Sequence, residues 1–264
     1  MINRRTFAKS ALTCSAFAAS LGAASRLNIG IGTFSYHSLS LDGMIEQLRA
    51  LRIREIEMSR GEFMLMKPPT PEMCVAARKK LDAAGIRCVS YYTATIKTPA
   101  DIEYAVRYAR ILGATNISGD ATGPILAEID TRFTREGLTF GIHNHWFKEK
   151  FAYETVDDVL RGLAGRSKTM GATLDVGQMA ACGQDPVDAV RRLAPYLHVV
   201  HLKDVENAGA EHNVLLGTGI AKIPAVMHEL KIIRFSGLVA IEYEKEGEAN
   251  EDVRQEVEYA RRLA

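Results

Sequence analysis

Cysteine is scarce in this 264-residue chain: Cys14, Cys74, Cys88 and Cys182 are the full set, and no two stand in a CxxC spacing. The absent CxxC spacing argues against a paired-cysteine zinc knot, and with Cys14 in a removable N-terminal segment the remaining three cannot form a fully paired disulfide framework, so buried thiols are expected instead. Charge of one sign is also lacking, since 33 basic and 32 acidic residues leave a net charge of +1. No general field draws in nucleic acid or an anionic membrane, so a partner has to be recognised locally. Beyond Ala24 no run approaches the roughly 20 apolar residues needed to span a bilayer, which predicts no integral membrane segment in the mature chain. A glycine-rich phosphate turn is missing as well: the first strand-like run leads into Gly32-Thr33-Phe34-Ser35-Tyr36-His37. That argues against a doubly wound dinucleotide-binding sheet. What remains is an ordinary globular composition, 47% hydrophobic and 25% charged, of a length that suits one large domain.

The first 25 residues read as a separate segment. Asn3-Arg4-Arg5-Thr6-Phe7-Ala8-Lys9 precedes a small-residue apolar run from Ser10 to Ala24, the order of a charged region, a hydrophobic region and a cleavage zone. The paired arginines resemble a twin-arginine export signal. The expectation is a signal over 1–25, a folded domain over 26–264 and a periplasmic or otherwise exported protein; the alternative is a cytoplasmic enzyme with a basic start. Leu12-Thr13-Cys14 fits a lipoprotein signal poorly, with threonine before the cysteine.

From Asn28 onward one plan repeats: a short apolar run, a polar turn, then a helix-period segment. That alternation predicts βα units on a parallel sheet. The strand candidates are residues 28–33, 53–58, 86–91, 115–118, 138–143, 172–175, 198–202 and 238–242. Thr70-Pro71, Thr98-Pro99 and Asp185-Pro186 each set a capping oxygen before a proline suited to the first helical position. Eight such units in about 240 residues match a single (β/α)8 TIM barrel.

The chemistry stands where the apolar runs stop. GLTFGIHNHW ends in His143 and His145, ATLDVGQ places Asp175, LHVVHLKD places His201, and GLVAIEYE places Glu242. Each has an ordinary explanation alone: a hydrogen-bonded histidine, a turn cap at Asp175, a solvated acidic run from Glu242 to Glu248. On four successive barrel strands they converge on one mouth. Two imidazoles and two carboxylates suit one divalent ion, with Mn²⁺, Zn²⁺ or Fe²⁺ favoured over Mg²⁺ or Ca²⁺. Two carboxylates balance its charge, leaving a Lewis acid able to polarise a carbonyl. Either His143 or His145 is the strand-five ligand on residue type alone. Glu242, His145 and Lys203 are the acid–base candidates, and Lys203 reads equally well as a surface lysine in a turn. Around them Glu57, His37, Tyr91 and Trp146 are expected to line a carbohydrate pocket, because aromatic faces and polar edges match a polyhydroxylated ring. A carboxylate ending the apolar 53–58 run needs a partner.

These motifs, IHNH at 142–145, LDVGQ at 174–178, HLKD at 201–204 and AIEYE at 240–244, resemble the xylose-isomerase-like TIM barrel superfamily, the sugar phosphate isomerase/epimerase group. The resemblance spans 26–264 and implies an ion held by His143, Asp175, His201 and Glu242. Two positions depart from the family pattern. His143 stands where glutamate is better known, and Gln178, expected to bind substrate, stands where histidine is common. Family epimerases use two metal-bound glutamates as an acid–base pair, so the first departure weakens a symmetric two-base epimerisation.

The expected function is a metal-dependent isomerase or epimerase of a sugar or related carbonyl compound, acting by proton abstraction beside the carbonyl. The alternative is a lyase or dehydratase on a keto-sugar, keto-glycoside or cyclitol. A non-catalytic sugar-binding barrel ranks below these, as does an endonuclease IV-like phosphodiesterase, which would need more metal ligands and a basic path for DNA. A small carbohydrate is the expected partner, with no nucleic acid; monomer and homo-oligomer both remain open.

Overall fold

The computed structural model describes residues 26–59, 61–63, 69–146, 152–210 and 212–264. The expected signal over 1–25 lies outside them. Eight parallel strands close into a barrel: β1 (Asn28–Gly32), β2 (Glu55–Met58), β3 (Arg87–Thr95), β4 (Asn116–Asp120), β5 (Thr139–His143), β6 (Met170–Asp175), β7 (Leu197–Leu202) and, after a small antiparallel pair β8 (Asp204–Val205) and β9 (Asn213–Val214), the closing strand β10 (Leu238–Ile241). The ring closes where β10 pairs with β1, Ile31 lying opposite Ile241. Helices α1 (Leu41–Ala50), α2 (Pro71–Ala83), α3 (Pro99–Leu112), α4 (Ile125–Glu136), α5 (Val156–Leu163), α6 (Val176–Ala181), α7 (Pro186–Leu193), α8 (Ile223–Ile232) and α9 (Asn250–Leu263) follow the strands. The TIM barrel read from the alternation is the observed fold.

Local signals account for where the helices begin and end. Thr98 accepts from the Asp101 amide at 3.2 Å and the Asp101 carboxylate accepts from the Thr98 amide at 2.8 Å, a reciprocal cap that satisfies two otherwise orphaned donors. Gly113 ends the same helix at φ 84°, a left-handed position that favours glycine. Between those ends Ile102, Ala105, Ala109 and Leu112 are buried, one stripe at helical spacing laid against the barrel. Among the described residues, no helix is long and apolar enough to cross a membrane, and Cys74, Cys88 and Cys182 are free thiols.

Two features of the wall set up the mouth. Asp175 pairs with His201 across β6 and β7, and His201 pairs with Ala240 across β7 and β10, so these strand ends reach the same height. The interior beneath is polar on one side, where Ser90, Asn116, Ser118 and Thr173 are all buried. Apolar side chains dominate most barrel interiors.

Candidate metal centre

Asp175 does two jobs with its two oxygens. It is the last residue of β6 and the N-cap of α6, where Oδ1 accepts from the Gln178 amide at 2.9 Å. The other oxygen, Oδ2, faces the barrel axis without a hydrogen-bond partner. His143 Nε2 and His201 Nδ1 are likewise buried without one. The Asp175 oxygen lies 3.9 Å from His143 Nε2 and 4.0 Å from His201 Nδ1. One ligand atom from each of the three residues lies within 4.8 Å of the others. Donors bound to one ion at about 2.1 Å sit roughly 3–4 Å apart, and buried polar atoms rarely go without partners. Three such atoms turned toward one point therefore fit a divalent cation, with Glu242 Oε2 standing beside them, 3.3 Å from His201 Nδ1.

Cation and carboxylates surround this point. Lys203 is only 1% exposed, which sets aside its reading as a surface lysine. Its ammonium lies 3.2 Å from Asp175 Oδ2, 3.2 Å from Glu242 Oε2 and 2.8 Å from Glu244 Oε1. Gly177 makes room for the lysine stem, since a Cβ there would come within 2.7 Å of Lys203 Cγ. Burial pushes the Asp175 carboxyl upward, but the Lys203 charge, with help from His143 and His201, outweighs it and holds the group at about 2. Burial opposes ionisation of Glu242 too, and Lys203 and His201 together keep it well below the usual carboxylate range. Burial lowers His201 and Lys203, yet the facing carboxylates raise both well above their ordinary values. The whole cluster is an interlocked set of ionised groups.

The remaining expected residues divide sharply. His145 is half-buried, its ring centroid 5.7 Å from that of His143 and its Nδ1 2.6 Å from the Trp146 carbonyl. β5 ends at His143, so the histidine two residues on does not repeat its position. Burial, then the charges of His143 and Lys203, lower His145 to about 4, leaving a neutral imidazole at neutral pH. Gln178 is buried and its side-chain oxygen accepts from the Trp146 amide at 3.0 Å, fastening α6 to the segment after β5.

Three residues expected to line a pocket have other partners. Tyr91 is fully buried on the outward face of β3, its hydroxyl donating to the Phe63 carbonyl; alternation along the strand turns its neighbour Tyr92 inward instead. Tyr92 Oη lies 3.5 Å from His143 Nδ1, its ring 5.2 Å from that imidazole. Burial, then Asp120 and Glu242, raise the Tyr92 phenol well above its ordinary value, so it remains a hydrogen-bond donor. His37 is exposed and stacks on Phe34 at 5.1 Å, away from the cluster. Glu57 is fully buried, with Oε1 2.5 Å from His201 Nε2.

Two further residues at the mouth carry no strand-end pattern in the sequence. Asn144 clamps β5 to β6: its Nδ2 donates to the Asp175 carbonyl at 3.0 Å and its Oδ1 accepts from the Asp175 amide at 2.9 Å. The polar residue between two histidines was the available signal. Asp120 ends β4 at the same mouth and accepts from Thr95 Oγ1 at 2.8 Å; it lies just past Ser118, where the apolar run appeared to stop.

Residues 124–263 match the sequence family described as xylose isomerase-like TIM barrel, and the chain belongs to that family. No curated protein matches the sequence. Solved structures share the fold at low identity. A sugar phosphate isomerase/epimerase from Parabacteroides distasonis ATCC 8503 is 17% identical with a TM-score of 0.66, covering 89% of this chain and 95% of its own. A D-psicose 3-epimerase, crystallised in the presence of D-fructose, is 17% identical with a TM-score of 0.67, over 89% and 96% of the two chains. The probable 3-DHS dehydratase AsbF from Bacillus anthracis, described as involved in petrobactin synthesis, is 14% identical with a TM-score of 0.71, over 88% and 97%.

Proposed function

We propose that the chain is a divalent-metal-dependent isomerase or epimerase of a sugar or related carbonyl compound. The observation that carries this reading is the convergence of three buried ligand atoms that make no hydrogen bond, on His143, Asp175 and His201, at the barrel mouth among the charged groups of Lys203 and Glu242. Those three residues would hold the ion, with Glu242 as a fourth ligand or as the base beside it. The nitrogen-rich set favours Zn²⁺, Fe²⁺ or Mn²⁺ over Mg²⁺ or Ca²⁺. When bound, such an ion polarises a carbonyl oxygen and lowers the pKa of the neighbouring C–H.

The chain's own groups supply the rest. Glu242, held ionised, accepts the proton from the carbon next to the carbonyl. The Lys203 ammonium keeps Glu242 and Asp175 fixed and compensates charge at the mouth. Tyr92, retained as a phenol, donates to a substrate oxygen; the protonated Glu242 returns its proton to the neighbouring carbon, and the neutral His145 imidazole beyond His143 accepts a proton from a substrate hydroxyl as the double bond shifts.

A lyase or dehydratase on a keto-sugar, keto-glycoside or cyclitol is the second reading. It is favoured by one feature, the imidazole of His143 on β5 where a second carboxylate would make the acid–base pair symmetric. Incubating the zinc- or manganese-loaded protein with ketoses and 3-keto-glycosides in deuterated water separates the two. Isomerase or epimerase action puts deuterium into a product of unchanged composition; elimination gives an unsaturated product that has lost water or an alcohol. Failure of any substrate to exchange, with metal bound, would leave a binding protein.

Export belongs to the same proposal. Arg4-Arg5 followed by the apolar 10–24 run supports a twin-arginine signal over 1–25 ahead of a domain over 26–264. Replacing both arginines by lysine should retain the protein in the cytoplasm of a host with a twin-arginine system.

A further inference from the structure

His201 has two ring nitrogens with opposite surroundings. Nδ1 faces Asp175 Oδ2 and Glu242 Oε2, on the side where His143 Nε2 also ends. Nε2 points the other way, into the barrel, and meets Glu57 Oε1 at 2.5 Å. The second Glu57 oxygen accepts from the Ser90 hydroxyl and from the Ser118 hydroxyl, the latter at 2.7 Å. Asn116 Nδ2 in turn donates to Ser90 at 2.9 Å and to Ser118 at 3.1 Å. A fully buried carboxylate is costly unless every oxygen is satisfied. Here a column of hydroxyl and amide groups satisfies it from below and one imidazole from above.

We propose that Glu57 is a positioning residue for the metal centre, holding the proton of His201 on Nε2 and so presenting the Nδ1 lone pair to the ion. This rests on the metal-centre reading above. A cation binding at Nδ1 displaces the proton that the ion-free imidazolium carries there; the neutral imidazole that remains has one proton, on Nε2, and a carboxylate can only accept it. Glu57 therefore fixes both the tautomer and the ring plane of His201, and its charge makes Nδ1 a stronger donor to a cation. The paired Ser90 and Ser118 donors keep the carboxylate from rotating away. Glu57 acts through His201 and does not reach the substrate.

Glu57→Gln tests this because it keeps the shape while removing the charge and offering an amide N–H toward Nε2. That arrangement favours the other tautomer, with the proton on Nδ1 where it blocks the ion. Zinc affinity, measured by chelator competition on the full chain, is expected to fall about 10- to 100-fold, with the melting temperature of the metal-free protein little changed. A purely structural role would show the reverse, a lower melting temperature with unchanged affinity of the folded protein. In the zinc-loaded wild type, ¹⁵N-histidine NMR is expected to show His201 protonated at Nε2 and ligated through Nδ1. Wild-type zinc binding with an indistinguishable E57Q would overturn the role of Glu57 alone, as would a proton on Nδ1 in the loaded wild type. A wild type that binds no zinc would overturn the metal-centre reading and this inference with it. Should E57Q fail to fold, the wild-type spectrum decides.

Discussion

Asn144 grips Asp175 by its backbone, donating to the carbonyl at 3.0 Å and accepting from the amide at 2.9 Å. Both residues are essentially fully buried, so this two-point clamp ties the end of β5, with His143, to the end of β6. The clustered side chains of β5 and β6 are thus held together by a residue that is not one of them. Asn144→Ala leaves two buried backbone groups short of a partner, and the expected loss of stability is roughly 1–3 kcal/mol. Urea unfolding checks that value, and chelator competition should show weaker zinc binding in the same variant. A variant as stable and as metal-avid as wild type would show that the clamp is dispensable.

Lys203 carries the positive charge among Asp175, Glu242 and Glu244. Replacing it with methionine keeps the stem and removes the ammonium, leaving buried carboxylates facing one another. Breaking a buried ion pair on one side typically costs about 3–5 kcal/mol, and chemical denaturation should show a loss of that order. A divalent cation would restore part of the missing charge, so zinc should raise the melting temperature of Lys203→Met more than that of wild type. An equal or smaller zinc effect would place the ammonium outside the electrostatics of the ion site.

Glu256, on α9, accepts from the Leu216 amide at 3.1 Å with one oxygen and has no partner for the other. Burial, helped by the charges of Asp204 and Asp252 and opposed by the Leu216 bond and Lys203, raises its carboxyl to about 9. Between the ordinary value near 4.5 and that value, the folded chain holds a proton that the unfolded chain has released. Stability must then fall as pH rises through this window, by at most about 1.4 kcal/mol per pH unit. Melting temperatures from pH 6 to pH 9 should decline more steeply for wild type than for Glu256→Gln. Parallel curves would mean that Glu256 ionises freely in the folded protein.

Much of this arrangement was legible in the sequence, and the reasons differ by residue. His143, Asp175, His201 and Glu242 could be placed because apolar runs mark strands and parallel strands in a closed barrel bring their ends together. Direction was harder. Tyr91 and Tyr92 are adjacent and chemically alike, and a shift of one residue exchanges the inward and outward faces; β3 also runs on to Thr95, past an irregularity in its pairing with β4. Glu57 was recognised as a carboxylate in need of a partner, but the sequence held no sign that the partner was an imidazole 144 positions away. Asp175 shows that the two readings are compatible, since one oxygen caps a helix while the other lies in the cluster with His143 and His201. Residues that act through backbone contacts, such as Asn144, carry no periodic pattern and emerge only when the strand ends are in register.

The central claim is that His143, Asp175 and His201 form one ion-binding face. Isothermal titration of the metal-stripped chain with zinc, beside His201→Ala, tests it most directly. One tight ion per wild-type chain and no tight ion in His201→Ala, with both proteins folded, is the expected result. No tight binding by wild type, or equal stoichiometry and affinity in the variant, would contradict it.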